Sequence, residues 1–268
     1  MTSSFLLLQN EGFLMQNCIR TSLAGLRTWR TEDKGAFYGA FFGLTIGLER
    51  LLKVLILLDH WNRSRKFLTD SELKAHCHDV ERLYGSVENL FPQYDVVRKD
   101  HLKLDKIDQR LLMFLSSFAK RSRYYNLFTL TSNEGAADPL GEWEDLLREI
   151  YEKDVPKEKR LPDLDENDIL VDHIEGNGCV KLTRAGTTLQ TQTEHVQDQE
   201  KMLLALPEMC WRLIKLLAPL QALLISVHEK IREKDLGIDG ELSVPYMEEF
   251  LEFVCEDKSV IYESENWP

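Results

Sequence analysis

The segment from Phe37 to Leu58 constrains the fold more than any other part of the chain. Phe37, Phe41, Leu44, Leu48, Leu51, Leu52, Leu55 and Leu58 recur at helical spacing and form a stripe too wide for a surface helix. A helix from about Lys34 to about Asn62 must therefore lie at the centre of a bundle. Thr31-Glu-Asp-Lys34 offers it a cap-like start. Gly39, Gly43 and Gly47 stand four apart on this helix. Each costs about 1 kcal/mol against Ala in a helix interior. The row is expected to let another helix approach closely, including one from a partner subunit.

Three more helices surround it. Leu14, Cys18, Ile19, Leu23 and Leu26 predict an amphipathic helix over Leu14–Trp29. Thr69-Asp-Ser-Glu72 is a capping signal, with Asp70 or Ser71 as the cap, for a third helix reaching about Leu90. A fourth starts near Leu104 and shows Ile107, Leu111, Leu112, Leu115, Phe118 and Ala119 on one face. The fold class is all-α: a four-helix bundle followed by a mainly helical C-terminal half. The turn-rich stretch Ser132–Pro139 divides the chain into 1–133 and 134–268. In the second region, Leu140–Lys153 and Thr193–Glu233 read as helical, the latter interrupted or bent at Pro207 and Pro219. A small β-hairpin is expected within 170–189, turning at Glu175-Gly-Asn-Gly178, and Pro245 suits the first turn of a last helix to about Val254.

Charge divides the same way. Residues 1–130 hold 19 Lys+Arg against 14 Asp+Glu, and residues 131–268 hold 14 against 31, within a net charge of −12. A basic half suggests nucleic-acid contact; an acidic solvated surface over a neutral core is the other reading. Arg63, Arg65 and Lys66, and Arg98, Lys99, Lys103 and Lys106, form two basic clusters. Five scattered cysteines form no CxxC pair, which argues against a disulfide framework or structural zinc and suits a cytoplasmic protein. The apolar stretches Phe37–Leu58 and Leu203–Val227 carry Glu49, Arg50 and Lys53, and Glu208, Arg212 and Lys215. Such central charges are costly in a bilayer, so no membrane association is expected.

GxxxxGKS/T, GxGxxG, GxSxG and HExxH motifs are all absent. His76 and His78 are two apart, a spacing that separates them on a helix, so no metal and no cofactor are expected. What stands out is an order of motifs. Glu49 and Lys53 lie at i,i+4 on the central helix, His78-Asp79 follows on the third, and Arg121-Ser-Arg123-Tyr124-Tyr125-Asn126 ends the fourth. This order, over residues 35–130, resembles the HEPN superfamily of helical nucleotide-binding domains. The resemblance implies a homodimer that joins two copies of an Arg-x(4–6)-His motif to cleave RNA without metal. It also implies a setting in a bacterial toxin or phage-defence system with an operon partner.

On that pattern Arg121 is the candidate cation and Asn126 stands where the catalytic histidine would. Arg123, Tyr124, Tyr125 and His78 are candidate substrate contacts. Asn126 can orient a hydroxyl but cannot act as a base near neutral pH. Other members of the superfamily use an Arg-Tyr pair without nuclease activity, and Arg123-Tyr124 fits that version. The alternative function is thus a non-catalytic adaptor for a nucleotide or a partner protein. Arginines at a helix C-terminus are also what the helix dipole favours.

Overall fold

The computed structural model describes residues 3–76, 78–94, 96, 103–132, 138–176, 178–183, 186–238, 242–254 and 257–263. Arg98 and Lys99, Cys77 and Cys255, positions 133–137 of the predicted break and Asn177 lie outside these residues. The helices are α1 (Ser3–Arg27), α2 (Lys34–Ser64), α3 (Asp70–Lys74), α4 (Val80–Glu88), α5 (Lys106–Lys120), α6 (Tyr125–Ser132), α7 (Pro139–Asp154), α8 (Glu166–Glu175), α9 (Gln192–Ile238) and α10 (Lys258–Glu263). The fold is all-α apart from one hairpin. Strands β1 (Gly178–Thr183) and β2 (Gly186–Thr191) pair antiparallel with Thr183 opposite Gly186.

α2 is the central helix. Asp33 caps it by accepting from the Ala36 amide at 2.8 Å, and Arg65 closes it in the left-handed region at φ 55°. Its buried residues meet α1, α4, α5 and α9. Five aromatic side chains from the first half, Trp29, Phe37, Phe41, Phe114 and Phe118, surround Trp143 of α7 or one another, with Phe41 and Trp143 4.7 Å apart. The buried cluster is therefore continuous across the 133/134 division, which marks a change of charge sign.

Several elements differ from the sequence expectation. α1 begins at Ser3, eleven residues ahead of Leu14, because Phe5, Leu8, Gly12 and Met15 extend its buried face. Thr69, rather than Asp70 or Ser71, caps α3 and completes a capping box with Glu72. The predicted third helix is two, because the Asp79 side chain accepts from the Arg82 amide and starts α4 anew. α9 runs unbroken through Pro207 and Pro219. The cost of each missing hydrogen bond is offset by burial: Leu206, Met209, Ala218 and Leu220 are all within the core. By length and composition α9 also passes as a membrane span, but 67% of its most apolar window is buried in the fold, as a core helix is. α8 occupies the first part of the expected hairpin region, so residues 175–178 end a helix and open β1 instead of turning the hairpin, whose strands pair as far as Thr183 and Gly186. Beyond Pro245 the chain forms a 3-10 turn, Met247–Leu251, instead of an α-helix.

The glycine row serves α1. A methyl on Gly43 would sit 2.5 Å from Ser22 Oγ, and one on Gly47 would sit 2.6 Å from Ile19 Cγ1 and 3.2 Å from its backbone nitrogen. The close approach is intramolecular at both positions. Nothing lies within 4 Å of the equivalent point on Gly39. Gly39→Ala should therefore raise stability by about 1 kcal/mol through helix propensity alone. Gly47→Ala should lower it, and thermal melts of the two variants should move in opposite directions.

Candidate functional site

Two small polar clusters form where α2, α4 and α5 meet. On α2, Glu49 accepts from Lys53 Nζ at 2.7 Å and lies 2.9 and 3.0 Å from His78 Nδ1. Glu49 is largely buried, while 71% of the His78 side chain is exposed. His78 stands outside any helix because Asp79 restarts the chain as α4. Asp79 also binds α5: Ser116 Oγ donates to it at 2.8 Å and Lys120 Nζ at 2.6 Å. Partial burial works to raise the Asp79 pKa, but the Lys120, Ser116 and Arg82 hydrogen bonds outweigh it and hold the carboxyl at about 2.

Arg121 ends α5. Its amide donates to the Ser117 carbonyl at 2.8 Å, and its own carbonyl accepts from the Tyr124 amide at 3.0 Å. The hydroxyls of Ser117 and Ser122, 3.0 Å apart, brace the turn that follows. The Arg121 side chain is exposed and makes no hydrogen bond or ion pair among the described residues. Arg123 is half-buried, its guanidinium 5.5 Å from the Phe42 ring centre and 5.0 Å from that of Tyr124. Its Nε is buried without a partner. Tyr124 leans on Phe128 at 6.0 Å, and Tyr125 is half-buried. A cleft of about 330 Å³ between α5 and α7 is lined by Arg110, Met113, Phe114 and Ser117, and by Glu142 and Leu146.

The turn thus gathers Arg121, Arg123 and Tyr124, and a separate contact gathers Glu49, Lys53 and His78. Asn126 is not bonded to Arg121; its amide donates to Tyr38 Oη at 3.4 Å. Burial and the charge of Asp138 raise the Tyr38 pKa against the pull of that amide. Sequence reasoning missed Ser116 and Lys120, Tyr38 and Phe42. The first two carry a local signal, an i,i+4 pair one turn from the arginines; the others are joined to the site only by folding.

The Asp79 carboxyl has a lower pKa folded than the ordinary carboxylate value of 3.8. It therefore contributes stability above about pH 4 that is lost as pH falls through about 4 towards 2. Asp79→Asn should destabilise the protein at neutral pH, and the gap to wild type in urea melts should narrow across that acid window. No protein-family model, curated protein or solved structure matches the chain.

Proposed function

We propose that the chain is an HEPN-like, RNA-directed module of a bacterial toxin or phage-defence system that holds a phosphodiester of single-stranded RNA at Arg121. The observation that carries this reading is the exposed Arg121, without an ion pair among the described residues, next in the chain to a cation–aromatic stack. An arginine with no carboxylate partner keeps its fork of donors for phosphate oxygens, and exposed aromatic faces accept bases by stacking. The α5–α7 cleft, close in volume to a small-ligand pocket, is lined by residues of the helix that Arg121 follows.

Binding and cleavage are separable on this site. Asn126 is engaged by Tyr38 and cannot act as a base near neutral pH, so the reading rests on binding at Arg121 and not on proton transfer by Asn126. Asp79 joins the two parts, since it follows His78 in the chain and binds Lys120, the residue before Arg121. A second reading is supported by α6, where Leu127, Phe128 and Leu130 are 62%, 44% and 83% exposed. Such a helix suits a protein partner, as an adaptor would require.

The test is binding of a 2′-O-methyl single-stranded oligoribonucleotide, which cannot be cleaved, to the full chain. Arg121→Ala should weaken binding at least about tenfold and reduce the salt dependence by about one phosphate contact, with helical content unchanged. Asn126→Ala should have little effect on binding. If wild type and Arg121→Ala bind equally, or neither binds, the RNA reading fails and the adaptor reading stands.

A further inference from the structure

The cleft between α5 and α7 differs in chemistry from the turn at Arg121. Its apolar lining is Phe114 and Leu146, both buried, and Met113, which is 56% exposed. Its polar lining is one guanidinium, one hydroxyl and one carboxylate, from Arg110, Ser117 and Glu142. Asp138 caps α7 by accepting from the Leu140 amide at 3.1 Å, which sets Glu142 in the first turn of that helix. Arg110, the cation of the cleft, is already paired with Glu149 of α7, and Glu142 adds a second carboxylate. The cleft therefore does not favour a phosphate. A flat, neutral ring with a hydrogen-bonding edge suits it better. Such a ring covers Phe114 and Leu146, and the unbranched thioether of Met113 can close on its other face. At about 330 Å³ the cleft lies at the small end of the range for ligand pockets, about 300–1,000 Å³, and admits a single base.

The carboxylate decides which base. An ionised carboxylate only accepts hydrogen bonds. Guanine is the one RNA base with two adjacent N–H donors, N1–H and N2–H, on its Watson–Crick edge, so it alone can meet both oxygens of a carboxylate there. Adenine and cytosine turn a ring-nitrogen lone pair toward the carboxylate beside their amine. Uracil flanks its single N–H with two carbonyls. Guanine O6 and N7 are acceptors, which the Ser117 hydroxyl and the remaining N–H groups of Arg110 can serve. We propose that the α5–α7 cleft holds a guanine base, with Glu142 reading N1–H and N2–H. A carboxylate offers about four acceptor sites, so Glu142 can bind a base beside its interactions within the fold. On the RNA reading, on which this proposal rests, cleft and turn serve one strand. Ser117 lines the cleft while its carbonyl accepts from the Arg121 amide at 2.8 Å and its hydroxyl lies 3.0 Å from that of Ser122. The base site and the phosphate site thus share a residue. α7, which supplies Glu142, lies beyond residues 35–130, so the base preference is not part of what the HEPN resemblance implies.

The test titrates the full chain with 2′-O-methyl oligouridylates that carry one central guanosine, inosine or adenosine. The guanosine strand should bind at least about tenfold tighter than the adenosine strand. The inosine strand, which lacks the N2 amine, should fall between them. Glu142→Gln should bring the guanosine and adenosine strands within about twofold of each other, with helical content and binding of plain oligouridylate unchanged. The comparison of bases on the wild type needs no variant, so the proposal is tested even if Glu142→Gln misfolds. Free guanosine and adenosine, titrated at millimolar concentration, separate the cleft from the RNA reading. Strands that bind through Arg121 with equal affinity for the two purines overturn the guanine site and leave the RNA reading standing. A guanine preference that survives Glu142→Gln overturns the assignment to Glu142. Selective binding of free guanosine, lost in Glu142→Gln, with no strand bound supports the site and overturns the RNA reading. Binding of neither strand nor nucleoside overturns both.

Discussion

The fold turns on one buried cation. Arg212 of α9 is 2% exposed and meets three carboxylates at once: Asp154 at the end of α7, and Asp105 and Asp108 at the start of α5. Asp105 and Asp108 are also the two members of the α5 capping box. Burial opposes ionisation of Asp105, but the Lys153 hydrogen bond, the Asp108 amide and Arg212 together hold its carboxyl well below the usual range. A buried ion cluster is not a large net source of stability, since desolvation offsets most of the attraction. Its importance is that it admits few alternatives. Removing one partner strands the others in the core, at a cost of about 3–5 kcal/mol, so the acidic half is fixed in one position on the basic half.

That constraint sets where the site sits. α5 is held at its N-terminus by Arg212 and near its C-terminus by Asp79, which takes both Ser116 and Lys120. Between them its apolar face packs on α2, α4 and α7. Arg121 follows immediately after the second anchor. A side chain with no bond of its own among the described residues thus follows directly on a helix fixed at both ends.

The parts legible in the sequence were those set by local periodicity. The α2 stripe, the α5 face and the all-helical class all follow from apolar residues three or four apart. What local reading handled badly was competition among short polar signals. Thr69, Asp70 and Ser71 are all acceptable caps, and only the reach of Glu72 back to Thr69 decides between them. Asp79 breaks a helix that periodicity alone would continue. The prolines of α9 look like stops until the burial of Leu206, Met209, Ala218 and Leu220 beside them is known, and the two glycines that fit α1 look equally suited to a partner. At the site, the arginines and tyrosines could be picked out along the chain, but the Tyr38–Asn126 and Asp79–Lys120 contacts span 88 and 41 residues. No spacing rule reports a contact made by the fold.

The charge of the N-terminal half shows the same limit from another side. Its formal excess of cations suggests a basic surface, yet many are neutralised where they stand. Arg50 pairs with Glu11, Lys53 with Glu49, Arg63 with Asp59, Arg110 with Glu149, and Arg65 reaches Asp235 of the acidic half. A count by halves therefore overstates the field available to a polyanion. What separates Arg121 from these residues is not its charge but its position, on a turn beside Arg123, Tyr124 and an exposed apolar helix, where the Asp79 carboxyl is taken by Ser116 and Lys120. The acidic half, anchored elsewhere through Arg212, gives Arg121 no carboxylate bond among the described residues.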